Sequence, residues 1–208
     1  MYKTRTQSVN DSQSTLVDSV PLSLTFDRNS VNDAIVSSPL GPLYTISTRT
    51  HLGITEVYAC IAPGTRRLVA RYEIRLFLPD VIHFPGKFSE KNVRMKRWLK
   101  TVKGKERAHL CNQGLTPVSS MESSDSRCLW STSEGGQLSL FLEDEPYAPI
   151  ATLQSASSWS PLTLEVDHQA LTKLDEIIVS AVILEQRRRF EARLDNVSYK
   201  FTYPGLPS

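Results

Sequence analysis

The chain has 208 residues, 40% of them apolar, and carries 24 Lys and Arg against 22 Asp and Glu. This is the length of one domain with flexible ends and enough apolar content for a real core, which excludes a disordered chain. A net charge of +2 excludes a strong global field for nucleic acid, so no specific nucleic-acid partner is expected; Cys60, Cys111 and Cys128 are too scattered for a disulfide framework or a paired-thiolate zinc site.

Residues 1–20 are rich in Ser, Thr, Gln, Asn and Asp without periodicity and read as a disordered arm. They contain no apolar signal segment, and with the scattered cysteines they predict an intracellular, reducing, cytoplasmic setting. Leu22, Leu24 and Phe26 alternate with polar partners, the mark of a half-buried strand. After turn chemistry at Asp27-Arg28-Asn29-Ser30, short strands are predicted at Ala34–Val36, Leu43–Thr48, Thr55–Ile61, Leu68–Phe77 and Val81–Phe84. Pro39-Leu40-Gly41-Pro42, Pro63-Gly64 and Pro79-Asp80 separate them as breakers. Short strands at this spacing predict a sandwich or barrel rather than a parallel sheet.

The stretch from about 87 to 126 departs from this pattern and reads as a basic and Ser-rich insertion. Lys87, Lys91, Arg94, Lys96, Arg97, Lys100, Lys103, Lys105 and Arg107 stand against Glu90 and Glu106, nine positives less two negatives, a local +7. Pro117–Ser126 reads as an inserted loop. Strand patterns resume at Arg127–Ser131, Gln137–Leu142, Ile150–Gln154 and Leu162–Val166, with a turn at Glu134-Gly135-Gly136.

Then the period changes. Asp167 is a predicted N-cap for a helix over about 168–190, in which Leu171, Leu174, Ile177, Ile178, Ala181, Val182 and Leu184 fall at helical spacing. Val179 and Ile183 fill the other faces, and Arg187-Arg188-Arg189 close the helix with charge that complements its dipole. A helix apolar all round must be enclosed, and this run is too short for the roughly 20 residues that span a membrane. The expectation is therefore a mainly β domain over 21–195, a barrel around a helix whose core residues are Leu174, Ile177, Ile178, Ala181 and Val182, with a tail over 196–208.

No catalytic constellation emerges. His51, His83, His109 and His168 are far apart, Glu143-Asp144-Glu145 lacks the surroundings of a calcium loop, and neither a Gly-x-Ser-x-Gly elbow nor a glycine-rich phosphate loop is present. A non-catalytic chain without metal or cofactor is expected. The candidate anion-binding residues are Arg94, Lys96, Arg97 and Lys100, with Trp98 and Leu99 as an apolar anchor beside them, and a second positive site at Arg187 and Arg188. Each basic group near an anionic bilayer is worth about 1 kcal/mol. The blander readings are a solvated loop for the first set, helix-end stabilisation for the second and core packing for Trp98, Trp130 and Trp159. The positive regions gain weight if the fold sets them side by side.

Leu43-Tyr44-Thr45-Ile46-Ser47-Thr48, Val69-Ala70-Arg71-Tyr72-Glu73 and Val81-Ile82-His83-Phe84 together resemble an uncharacterised family from mushroom-forming fungi, catalogued as a domain of unknown function. So do Leu164-Glu165-Val166 and the run from Leu174 to Glu185 with the Arg triplet after it. The likeness covers roughly Leu22 to Arg193. Members of that family resemble the tubby, LURP-one and phospholipid-scramblase group, which implies an antiparallel barrel of roughly ten to twelve strands around an apolar C-terminal helix. Tubby domains bind phosphoinositide head groups through basic residues; that motif has no residue-by-residue match here, and the basic and Ser-rich insertion departs from the pattern. The function so implied is a binding module reading an anionic phospholipid head group as a peripheral membrane protein. The alternative is a protein-interaction domain with no lipid affinity.

Overall fold

A computed structural model of the chain describes residues 20–75, 77–87, 92–101, 116–122, 126–133, 135–155 and 160–202. The arm over 1–19, the tail end over 203–208, Lys91, Lys103, Lys105, Arg107, His109, Cys111 and Trp159 lie outside the described residues.

Thirteen strands form one sheet. They are β1 (Leu22–Phe26), β2 (Ile35–Ser38), β3 (Gly41–Arg49), β4 (Ile54–Ala62), β5 (Thr65–Glu73), β6 (Val81–His83) and β7 (Val93–Arg94), then β8 (Leu99–Thr101), β9 (Thr116–Glu122), β10 (Arg127–Thr132), β11 (Leu138–Leu142), β12 (Ala151–Gln154) and β13 (Thr163–Val166). A single-turn helix, α1 (Met95–Trp98), joins β7 to β8, and a long helix, α2 (Leu174–Thr202), ends the described chain. The strand order is β7-β6-β5-β4-β3-β2-β1-β13-β12-β11-β10-β9-β8. All pairings are antiparallel, so the fold is two meanders joined where β1 meets β13.

Alternation drives the strands as the sequence predicts: Leu24 and Phe26, Tyr44 and Ile46, and Thr55 and Val57 turn inward while their neighbours face out. In β5 the rhythm slips. Val57 pairs with Ala70 but Tyr58 pairs with Leu68, so Val69 is a bulged extra residue and Val69 and Ala70 are buried in succession. Two turns need glycine. Gly64 closes the β4–β5 hairpin at φ +78°, and Gly53 adopts φ +66°, where a Cβ would lie 2.3 Å from the Ile74 carbonyl oxygen.

The sheet differs from the expected closed barrel of ten to twelve strands. It has thirteen, and its ladder is open, since β7 and β8 are the two edges. These edges are nonetheless consecutive in the chain, separated only by the four residues of α1, about 6 Å of helical rise. The sheet must curl to bring its two ends to either side of that turn. Pairing stops at this seam because the chain leaves β7 after two residues to enter α1.

The middle of α2 lies in the concavity. Ile177 to Glu185 are nine consecutive buried residues, which leaves no face of the helix exposed for more than two turns. Burying each large aliphatic side chain contributes about 1.5–3 kcal/mol. Ser180, which interrupts the apolar run, is fully buried and satisfied: Trp130 Nε1 donates to its Oγ at 3.0 Å, and its hydroxyl donates to the Ile177 carbonyl at 3.0 Å. Leu174, read as core, is half-buried at the entrance.

Two boundaries move. Asp167 does cap, its carboxylate accepting from Gln169 N at 2.9 Å, but the turn it caps is a 3₁₀ segment, His168–Lys173, ahead of α2. The Arg triplet does not close the helix, which runs on to Thr202 through most of the expected tail. The stretch read as an insertion contributes β7, α1, β8 and β9 to the sheet, and Ser119, Ser120 and Met121 of the Ser-rich part are buried there. Among the described residues no helix is long and apolar enough to cross a membrane.

Candidate functional site

The three arginines that follow the enclosed segment of α2 are about 100° apart around the helix, so they fan out to different parts of the rim. Arg187 reaches the β5–β6 loop, its Nη2 lying 3.6 Å from Asp80 Oδ2 and 2.9 Å from Met95 Sδ. Arg188 lies beside the β10–β11 turn, where its Nη1 is 3.2 Å from the point a Cβ on Gly136 would occupy. Arg189 donates to the Asn29 carbonyl at 2.8 Å in the β1–β2 loop.

Arg188 and Arg189 share one counter-ion, three and four residues before them on the same helix. Glu185 is 1% exposed, and its carboxylate accepts from Arg188 Nε and Nη2 at 2.8 and 2.9 Å and from Arg189 Nε at 2.6 Å. The hydrogen bonds to Glu185 hold the Arg188 guanidinium charged, raising its pKa above the ordinary value. Arg188 is thus held bidentately by a buried carboxylate of its own helix. Arg187 has one carboxylate, at a looser 3.6 Å.

Arg187 is joined by the basic segment. A cleft of about 280 Å³ is lined by Leu78, Pro79, Asp80, Met95, Lys96 and Arg187, so a cation from α1 and a cation from α2 face the same space. The burial of α1 explains the geometry. Met95 and Trp98 point into the core, which turns Lys96 and Arg97 outward, and Arg94 before them is exposed too. Among the described residues Arg94, Lys96 and Arg97 make no ion pair. Lys100 goes elsewhere. It lies half-buried in β8, where its carbonyl accepts from Ser119 Oγ at 2.7 Å.

The expected apolar anchor is not at Trp98 and Leu99. Both are 2% exposed, and the Trp98 ring meets Phe84 edge-on at 4.9 Å between centroids. The exposed apolar groups beside the cleft are on the β5–β6 loop, where Phe77 is 95% and Leu78 63% exposed. Asp80 braces that loop: its Oδ1 accepts from Arg75 N at 2.9 Å, and its carbonyl accepts from Met95 N at 2.9 Å. The reading of Leu68–Phe77 as one strand hid the tip, because β5 ends at Glu73.

Two other charged regions are paired within the fold. Where α2 begins, Asp175 accepts from Tyr44 Oη and Arg67 Nη2, both at 2.8 Å, and Glu176 meets Lys87 Nζ at 2.5 Å. Burial, and then the Asp175 carboxylate, push the Tyr44 phenol far above its usual range, so it stays a neutral donor. On the outer face of β5 and β6, a cleft of about 330 Å³ is lined by Arg71, Glu73, Val81, His83 and Asn92. There Arg71 is shared between Glu56 at 3.6 Å and Glu73 at 3.5 Å, while Glu56 also holds Arg49 and Glu73 holds Arg75. Each of the three arginines there has a carboxylate partner, so that cleft offers no unpaired cation of this network. Cys60 and Cys128 are free thiols, and burial pushes the Cys128 thiol up, away from reactivity. Among the described residues no three His, Cys, Asp or Glu side chains gather as a metal cage.

Residues 27–190 match the model of a family of unknown function, DUF6593, and the chain belongs to that family. No curated protein and no solved structure matches the chain.

Proposed function

We propose that this member of the DUF6593 family is a non-catalytic, intracellular binding module that reads anionic phospholipid head groups at the rim where α2 leaves the sheet. The observation that carries the reading is the meeting of Lys96 and Arg187 in one cleft, with Asp80 as their carboxylate neighbour. Arg94 and Arg97, exposed on either side of Lys96 in the chain, add to a field that attracts phosphate. In this reading the sheet acts as a barrel, closed across its seam by α1 as in the tubby-like group that the sequence resembles. It serves as a rigid mount for the rim. Lys100 and Arg188, which the sequence suggested, drop out, since one lies in the sheet and the other is held by Glu185.

The test is cosedimentation with anionic and zwitterionic vesicles over a range of salt. Binding should require the anionic lipid and weaken as salt rises. Replacing Arg94, Lys96, Arg97 and Arg187 with Gln should weaken it by about 3–4 kcal/mol at low salt, at about 1 kcal/mol per cation, with little change in thermal midpoint. Unchanged binding by that variant would remove the rim as the site. No binding by the unaltered protein at low salt would favour the protein-interaction module instead.

A further inference from the structure

We infer that Phe77 and Leu78 form an apolar tip that enters the acyl region of an anionic bilayer while the neighbouring cations hold the head groups; this rests on the lipid-binding reading above. Phe77 at 95% and Leu78 at 63% exposure are two large apolar side chains in succession on a loop that gives neither of them cover. The loop does not collapse onto the sheet because Asp80 ties it on three sides, to Arg75 N, to Met95 N and to Arg187. Inserting a tip already held outward needs no rearrangement of the fold.

Charge identifies the occupant. Leu78 lines the same cleft as Lys96 and Arg187, so hydrocarbon and cation are presented together on one side of the molecule. A free phosphate or a soluble head group complements the cations and leaves the tip in water. The surface of an anionic bilayer offers phosphate and hydrocarbon within a few ångströms of each other and complements both. The membrane anchor is therefore assigned to Phe77 and Leu78, and the buried Trp98 and Leu99 belong to the core.

The experiment uses the full chain and vesicles of phosphatidylcholine with phosphatidylserine. Phe77→Trp adds one exposed fluorophore, read as the difference from the unaltered protein, whose Trp98 and Trp130 are buried. With vesicles the added emission should shift to the blue and be quenched by bromines on the acyl chains. Phe77→Ser with Leu78→Ser should weaken partitioning at least about tenfold, the scale of losing one buried large apolar side chain. The binding that remains should vanish at high salt. Binding without acyl-chain quenching overturns insertion and leaves the charge-based reading standing. Failure of the unaltered protein to bind anionic vesicles at low salt overturns both.

Discussion

The two ends of the enclosed helix solve the same problem with opposite chemistry. Where α2 begins, the helix supplies the carboxylates, Asp175 and Glu176, and the sheet and its loops supply one cation for each, Arg67 and Lys87. Negative charge there complements the helix dipole, and each carboxylate has a cation partner from the sheet or its loops. At the far end the helix supplies three arginines and one buried carboxylate, Glu185, which satisfies two of them. Arg187 is left with Asp80, and α1 brings Lys96 alongside. One end is a closed lid; the other keeps positive charge in hand. The difference separates ion pairs that serve the fold from cations free to serve a ligand.

The sharpest way to break this comparison is Glu185→Ala. Removing a carboxylate that is 1% exposed leaves Arg188 and Arg189 beside each other with no counter-ion and opens space in the packing. Breaking a buried pair costs about 3–5 kcal/mol, and partial exposure of both arginines reduces this to about 2–3 kcal/mol. Denaturant unfolding measures it. A loss under about 0.5 kcal/mol would mean that the arginines do not need Glu185, and that all three belong to the surface field.

A smaller effect is expected at the other end. Asp175 is 33% exposed and Arg67 53%, so Asp175→Asn removes a charge that water screens, while the new amide oxygen still accepts from Tyr44. The expected loss is about 0.5–1 kcal/mol. Anionic-vesicle binding should not change by more than twofold. A marked rise in binding would show that Arg67, freed from Asp175, is part of the lipid-facing charge and that the two ends are not distinct.

Much of this contrast was illegible in the sequence, for physical reasons. The enclosed segment was legible because apolar groups on every face of a helix have only one soluble solution, burial all round. The strands that alternate were legible for the same reason with period two. Failure came where polar residues are buried in satisfied pairs. Ser119 is a core-facing strand residue because its hydroxyl reaches the Lys100 carbonyl, and nothing in Thr-Pro-Val-Ser-Ser-Met-Glu announces that partner. The Arg triplet read as a helix end because local charge implies a dipole. Its partners Asp80 and Asn29 lie more than a hundred positions away, and only the fold brings them to the helix. The same holds for the cleft. Both of its cations were singled out from the sequence, but their meeting depends on α1, a single turn set by Met95 and Trp98 pointing inward. Phe77 was legible as apolar and illegible as exposed, because a strand that continues to Phe77 and one that stops at Glu73 share the same pattern.

The smallest expected effect concerns the support of the charged rim and is read through pH. Arg75 precedes the apolar tip and is kept out of the surface field by Glu73, which accepts from its Nε at 3.0 Å and its Nη2 at 2.5 Å. Those hydrogen bonds, with the charges of Arg75 and Arg71, hold the Glu73 carboxyl below its usual range. A carboxyl with a depressed folded-state pKa contributes stability that is fully present above its unfolded value, near 4.3, and is lost as pH falls through the folded value. At pH 7, Glu73→Gln should therefore cost about 0.5–1 kcal/mol, since both partners are partly exposed. As pH drops below about 4 the difference between the two proteins should shrink, because protonation removes from the unaltered chain what the substitution removed from the variant. Unfolding by denaturant at pH 7 and at pH 3 makes the comparison. A gap of equal size at both values would show that Glu73 supports the β5–β6 loop through packing alone, and that its charge does not keep Arg75 from joining Lys96 and Arg187.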